Sequence, residues 1–191
     1  MQRVLRALRD KAVLSNTYII FLSDNGYALG EHRFRGGKVK PYDIALKVPL
    51  AIRGPGIARG TEVTQAVGIH DLAPTILAMT SNEGTNGSFM MDGLNVLPML
   101  GDPAYRANRP LVFEGAPPNG ELLPDWVFQG VITPKWKYFE RHTGVSELYD
   151  RTNDPWELRN RAADPAFANV KANMRQLKTR LQFCRGSACW N

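Results

Sequence analysis

Thr17-Tyr18-Ile19-Ile20-Phe21-Leu22-Ser23-Asp24-Asn25-Gly26 is the stretch that decides the reading of this chain. Its β-branched, aromatic and aliphatic run has strand length and strand composition. It then breaks into a polar, turn-forming end. Upstream, residues 1–14 place Val4, Leu5, Leu8 and Ala12 on one side of a helix, with Arg3, Arg6, Arg9 and Asp10 largely elsewhere. Ser15-Asn16 stops that helix. A helix leading into a buried strand is the transition of an α/β sheet. In such sheets functional residues gather beyond the carboxyl ends of strands. Asp24 and Asn25 stand at that position.

Downstream, a Gly- and charge-rich loop covers residues 30–40, and residues 47–53 form a second strand closed by Gly54-Pro55-Gly56. Residues 70–79 read as a helix with Asp71 as N-cap and Pro74 in its first turn. A polar loop follows over 81–88, in which Asn86-Gly87-Ser88 fits a glycosylation sequon. Residues 94–100 are a short apolar segment. From Leu111 the pattern changes to short aromatic strands over 111–113, 126–128, 130–132, 136–139 and 147–150, and a helix over 166–183 closes the chain. Strands followed by one helix predict a small antiparallel sheet with a helix on one face. The expected division is residues 1–108 and residues 109–191.

Composition narrows the function classes. The 191 residues are 43% hydrophobic and 22% charged, which is globular rather than disordered. No apolar run approaches the roughly 20 residues of a membrane span. The opening residues lack an apolar core and a cleavage site, so they are not expected to be a signal peptide. The net charge of +6 is spread along the chain without a dense run or a nucleic-acid motif. Nucleic acid is therefore not an expected partner, whereas an anionic substrate is. Cys184 and Cys189 are too far apart for a redox pair and have no second pair for zinc. The short loop with Gly186 and Ser187 lets them reach disulfide distance, with two free thiols as the alternative.

Adjacent Asp24 and Asn25 offer carboxylate and amide oxygens of the kind hard divalent cations take. Lys38 and Lys40 bring positive charge toward an anion in the same cleft. By itself an Asp-Asn-Gly turn is ordinarily only a turn.

The longer string is more specific. Ser23-Asp24-Asn25-Gly26-Tyr27-Ala28-Leu29-Gly30-Glu31-His32, then Gly37-Lys38, Tyr42-Asp43 and Val48-Pro49-Leu50, resembles the C-terminal signature region of type-I, formylglycine-dependent sulfatases. Arg53-Gly54-Pro55-Gly56-Ile57, Asp71-Leu72-Ala73-Pro74-Thr75-Ile76-Leu77 and Leu148-Tyr149-Asp150 follow in that family's order. So does Asn153-Asp154-Pro155-Trp156-Glu157-Leu158-Arg159-Asn160. The closing Leu181-Gln182 and paired cysteines look like the tail of N-acetylglucosamine-6-sulfatases. The resemblance implies an alkaline-phosphatase-like α/β fold, of which this is the C-terminal part, and a sulfuric ester hydrolase acting on sulfated carbohydrate or aryl esters. It implies that Asp24 and Asn25 bind calcium beside the sulfate group. It also implies that Lys38, in a Lys-x-x-x-Tyr frame with Tyr42, contacts the sulfate and acts in catalysis. Lys40 is then a solvated loop charge and His32 a further candidate for substrate contact. The segment 154–157 is implied to be a structural turn.

That family makes its nucleophile from Cys or Ser in a Cys/Ser-x-Pro/Ala-x-Arg motif, and no Cys or Ser of this sequence begins one. This polypeptide alone is therefore expected to hydrolyse sulfate esters poorly or not at all. The full-length protein is expected to be secreted, periplasmic or lysosomal. Rival expectations are a phosphonate or phosphate ester hydrolase of the same superfamily, or a non-catalytic module that binds sulfated glycans.

Overall fold

A computed structural model describes residues 1–80, 90–102, 105, 109–116 and 127–190. The polar loop 81–88 and its sequon lie outside them. Helix α1 (Gln2–Asp10) ends before Ala12, whose φ of 57° turns the backbone left-handed. Strand β1 (Ile19–Leu22) pairs with β2 (Leu50–Arg53), Leu22 lying opposite Leu50 and Ile19 opposite Arg53. This pairing is antiparallel, and Phe21, read from the sequence as part of a buried strand, is half exposed. No further described strand joins this ribbon, and none of its residues is fully buried. The antiparallel register also returns the chain to the end it left, making residues 23–49 a single excursion from one end of the ribbon.

That excursion contains a short helix, α2 (Asp43–Leu46), which no sequence pattern announced. Helix α3 (Leu72–Met79) follows a 3-10 turn, and α4 (Leu97–Gly101) takes up the apolar segment expected near it. Asp71 does not cap α3 through its side chain. Its carboxylate is fully buried and accepts from the backbone of Gly68 (2.7 Å) and Leu94 (2.8 Å) and from the guanidinium of Arg109. A buried charge must find such partners, and here they tie the start of α3 to two distant segments.

The second half is a four-stranded antiparallel meander, β3 (Leu111–Gly115), β4 (Phe128–Ile132), β5 (Trp136–Arg141) and β6 (Ser146–Asp150), in chain order. The two short strands expected around 128 and 131 are one element. Side chains alternate across the sheet. Val131, Tyr138 and Leu148 point to helix α5 (Ala168–Leu181) and meet Met174 and Leu181 in one core. These positions, with Val170 and Leu177, recur at helical spacing along α5. At the edge of that core Glu140 accepts from Lys178 (2.8 Å) and Tyr138 (2.7 Å). The opposite face carries Lys137, Phe139, Arg141, Glu147 and Tyr149, and residues of the 23–49 excursion pack there.

The tail after α5 folds back. Cys184 and Cys189 form a disulfide, with Cα atoms 5.1 Å apart. Gly186 N donates to Asp92 Oδ1 (2.7 Å) and Trp190 Nε1 to the Asp92 carbonyl (2.8 Å). The small loop is thereby pinned to Asp92. Among the described residues no helix is long and apolar enough to cross a membrane.

Candidate functional site

The end of β1 runs into a turn built by its own side chains. Ser23 Oγ donates to the Asn25 carbonyl (2.9 Å), Asp24 Oδ1 accepts from Asn25 N (3.0 Å), and Asn25 Nδ2 donates to the Gly26 carbonyl (2.8 Å). Among the described residues Asp24 Oδ2 and Asn25 Oδ1 take no hydrogen bond, so two hard oxygens on adjacent residues remain available. Gly26 fixes the turn against α2. Its N–H donates to the Ala45 carbonyl (2.9 Å), and a Cβ there would meet the Ile44 carbonyl oxygen at 2.1 Å. Only glycine permits that approach.

These residues fit part of a calcium site and no more. Carboxylate and amide oxygens are the right donors, but calcium takes six to eight. Among the described residues no group of three or more His, Cys, Asp or Glu comes together for a metal.

The loop that follows is closed by one bridge, Ala28 N donating to the Gly37 carbonyl (2.9 Å). Ala28 is fully buried. Lys38, next to Gly37, is exposed and makes no ion pair among the described residues, so its ammonium is available to an anion. Lys40 differs from the expected solvated charge. Its ammonium lies 4.4 Å from the centre of the Phe34 ring, a cation–π contact, because the loop folds its aromatics inward. The structure therefore separates the two lysines by role: one engaged, one not.

His32 adopts a left-handed backbone (φ 52°) and stacks on Tyr42, ring centres 3.9 Å apart and 16° from parallel. Burial lowers its pKa, the Glu147 carboxylate opposing and the Lys137 ammonium assisting. His70 sits 3.6 Å from Asp71 Oδ1, and His142 Nδ1 lies 3.4 Å from the Val127 carbonyl. Neither shares a partner with the loop.

Two clusters that sequence reasoning missed hold this loop. In the first, Glu147 Oε2 accepts from the hydroxyls of Tyr42 (2.9 Å) and Tyr149 (2.5 Å), while Glu147 Oε1 accepts from Arg141 Nε (3.1 Å) and Nη2 (3.0 Å). Burial, reinforced by Glu147, raises the pKa of both phenols and keeps them as donors. In the second, fully buried Lys137 places its ammonium 2.8 Å from Asp43 Oδ1 and 2.6 Å from Glu157 Oε1. Glu157 Oε2 also accepts from Asp43 N (2.7 Å), and Arg151 lies 3.6 Å from Asp43 Oδ2. Burial raises the pKa of Glu157 against the pull of Lys137. For Asp43 burial acts in the same sense, but Lys137 and Arg151 together outweigh it and the pKa falls. The turn 154–157 is structural, as the resemblance implied. Asp154 accepts from the backbone of Leu158 (3.0 Å) and Arg159 (2.8 Å).

A signal for these clusters exists in the sequence. Lys137 and Glu147 interrupt aromatic strands at positions that share a face with Phe139 and Tyr149. A charge on a buried strand face needs a partner. Which partner is invisible, because Tyr42 and Glu147 lie 105 residues apart. A separate groove of about 760 Å³ runs along α5, lined by Lys171, Arg175 and Arg180 among others, and contains none of these loop residues.

Comparison with known proteins adds the family. The family model described as Sulfatase matches residues 1–82, the stretch holding Asp24, Asn25 and Lys38. An arylsulfatase of Volvox carteri is 34% identical over all of this chain and 33% of its own length. The chain resembles sulfatases along its whole length. An N-acetylglucosamine-6-sulfatase of Capra hircus is 28% identical over 99% of the chain and 39% of that protein. The chain thus spans 33% and 39% of the lengths of these two curated relatives. Among solved structures, one in complex with its substrate D-glucosamine-2-N,6-O-disulfate superposes with a TM-score of 0.80 at 26% identity, over 95% of this chain and 37% of that one. A phosphonate monoester hydrolase of Agrobacterium radiobacter superposes with a TM-score of 0.77, also at 26% identity, over 96% and 39% of the two chains. The fold is that of alkaline-phosphatase-like sulfatases, mixed α/β with a small four-stranded antiparallel sheet.

Proposed function

We propose that this chain supplies part of the metal site and the sulfate-contacting lysine of a sulfuric ester hydrolase, which acts in full-length form on sulfated carbohydrate or aryl sulfate esters. The observation that carries the reading is the pairing of two oxygens that take no hydrogen bond among the described residues, on Asp24 and Asn25, with the Lys38 ammonium, unpaired among those residues, on the same excursion from the ribbon. Residues 1–108 then form the C-terminal part of the catalytic α/β domain, and residues 109–191 a subdomain beside it. Calcium, when bound, supplies positive charge to the sulfuryl oxygens. Asp24 and Asn25 contribute one carboxylate and one amide oxygen to hold it. The Lys38 ammonium offsets charge on the sulfuryl oxygens and on the leaving oxygen as the ester bond breaks. His32 flanks the substrate. The Cys184–Cys189 disulfide supports an exported or lysosomal protein, since such bonds persist in oxidising compartments.

Turnover of aryl sulfates and sulfated glucosamine by the full-length protein tests this reading. Replacing Lys38→Ala should lower kcat about 100-fold, the scale of losing one preorganised donor to a developing charge. Unchanged turnover would remove Lys38 from the chemistry. Phosphonate ester hydrolysis is the second reading, favoured by the Agrobacterium radiobacter likeness. Faster cleavage of an aryl phosphonate than of the matching sulfate would establish it instead.

A further inference from the structure

Lys38 has a long, flexible side chain and no ion-pair partner among the described residues, yet the loop around it is anchored at several points. The loop returns to α2 through Tyr42 and Asp43, and each of these meets a buried charge on the antiparallel sheet. Tyr42 donates to Glu147 Oε2 (2.9 Å), receives Arg141 Nη2 (3.2 Å), and lies edge-on to Phe139 and Tyr149 (5.8 and 6.2 Å between centres). On its outer side it carries the stacked ring of His32, with Phe34 tilted against it at 5.7 Å. One residue on, Asp43 is bonded through its carboxylate to Lys137 (2.8 Å) and through its N–H to Glu157 (2.7 Å). His32, Phe34, Tyr42 and Asp43 therefore seat both limbs of the loop, before and after Lys38, on strands β5 and β6 and the turn beyond them.

Buried charges are a poor way to gain stability, because apolar residues of the same shape do as well or better. They do confer direction. A carboxylate held by two phenols and a guanidinium admits one geometry, whereas stacked aromatics slide. A lysine that stabilises a transition state needs such a fixed base, since a displacement of about 1 Å costs about 100-fold in rate.

We propose that Glu147 on β6 and Lys137 on β5 are positioning residues for Lys38, so that the C-terminal sheet sets the geometry of a loop belonging to the other part of the chain. Neither residue touches substrate. Glu147 acts by orienting Tyr42, Lys137 by fixing Asp43. This rests on the reading of Lys38 as the sulfate-contacting lysine.

The experiment is a double-mutant cycle in the full-length sulfatase that carries this chain, with an aryl sulfate as substrate and temperatures kept below the unfolding of every variant. Glu147→Gln keeps the shape of the side chain but removes its charge and puts an NH2 donor in place of one accepting oxygen. It should lower kcat about 10-fold or more with KM little changed. Placed on top of Lys38→Ala, the same change should cost less than about twofold, because the group it positions is gone. Tyr42→Phe, which loses a single hydroxyl and keeps the ring stack, is the second probe and should behave alike should Glu147→Gln fail to fold. A full 10-fold loss in the Lys38→Ala background overturns the positioning role alone. An unchanged kcat for both Glu147→Gln and Tyr42→Phe does the same. An unchanged rate for Lys38→Ala overturns the reading of Lys38 and the proposal with it.

Discussion

Replacing Lys137→Met is the most informative change of stability in this fold. Methionine fills nearly the same volume, so the loss is almost wholly electrostatic. The ammonium it removes is fully buried and serves two carboxylates, at 2.8 Å (Asp43) and 2.6 Å (Glu157). Breaking a buried ion pair by deleting one partner costs about 3–5 kcal/mol, chiefly the cost of the charge left behind. Asp43 is about a quarter exposed (24%) and retains Arg151 at 3.6 Å, so its share is small. Glu157 is 3% exposed and keeps only the N–H of Asp43. The loss should therefore fall near the lower end, about 3 kcal/mol at pH 8.

Its pH dependence has a definite sign. Burial already raises the pKa of Glu157, and losing Lys137 raises it further. A carboxyl whose folded pKa exceeds its unfolded value binds more protons when folded. The variant thus gains stability as pH falls through the folded value toward the unfolded one, near about 4.3. Asp43 in the parent protein works the other way. Its lowered pKa is a stabilisation lost on acidification. The Glu157 effect narrows the gap between pH 8 and pH 5, and the Asp43 effect adds to it only below the unfolded Asp value of about 3.9. Urea unfolding at pH 8 and pH 5, read as a change of midpoint at constant slope, measures it. Lys137→Met/Glu157→Gln should recover about 1–2 kcal/mol at pH 8, the amide oxygen still accepting from Asp43. A loss below about 1 kcal/mol at pH 8, or a gap that widens on acidification, would refute the reasoning.

Asp71→Ala should cost about 3–5 kcal/mol, since it strands a buried guanidinium and two backbone N–H groups, and a fall in thermal midpoint by circular dichroism checks it. Reducing the Cys184–Cys189 bond, which closes a loop of sequence separation 5, should cost about 2 kcal/mol and release Trp190 from Asp92, seen as a change in tryptophan emission on adding dithiothreitol. His32 should titrate below the ordinary imidazole value in a proton NMR titration, because burial disfavours its cation. A histidine with a lowered folded pKa binds fewer protons folded than unfolded. It therefore subtracts stability as pH falls below about 6.5, and His32→Gln should remove that acid-side loss in denaturation at pH 5 and pH 8.

Local chemistry was legible from the sequence. Helix α1, strand β1 and its polar end, helices α3 and α5, and the aromatic strands of the meander all follow from periodicity and turn residues, which act over a few positions. The proposed roles of Lys38 and the Asp24–Asn25 pair rest on the same kind of signal, a short, ordered string. Tertiary structure decided what the string could not carry. It made β1 and β2 an antiparallel ribbon, and so made residues 23–49 one excursion from a single end. It turned Asp71 from a helix cap into a buried junction. Above all it joined Tyr42 to Glu147 and Asp43 to Lys137, pairs about a hundred residues apart. A buried charge demands a partner but does not name one. Only the packing of the sheet against the loop brings the partner within hydrogen-bond reach.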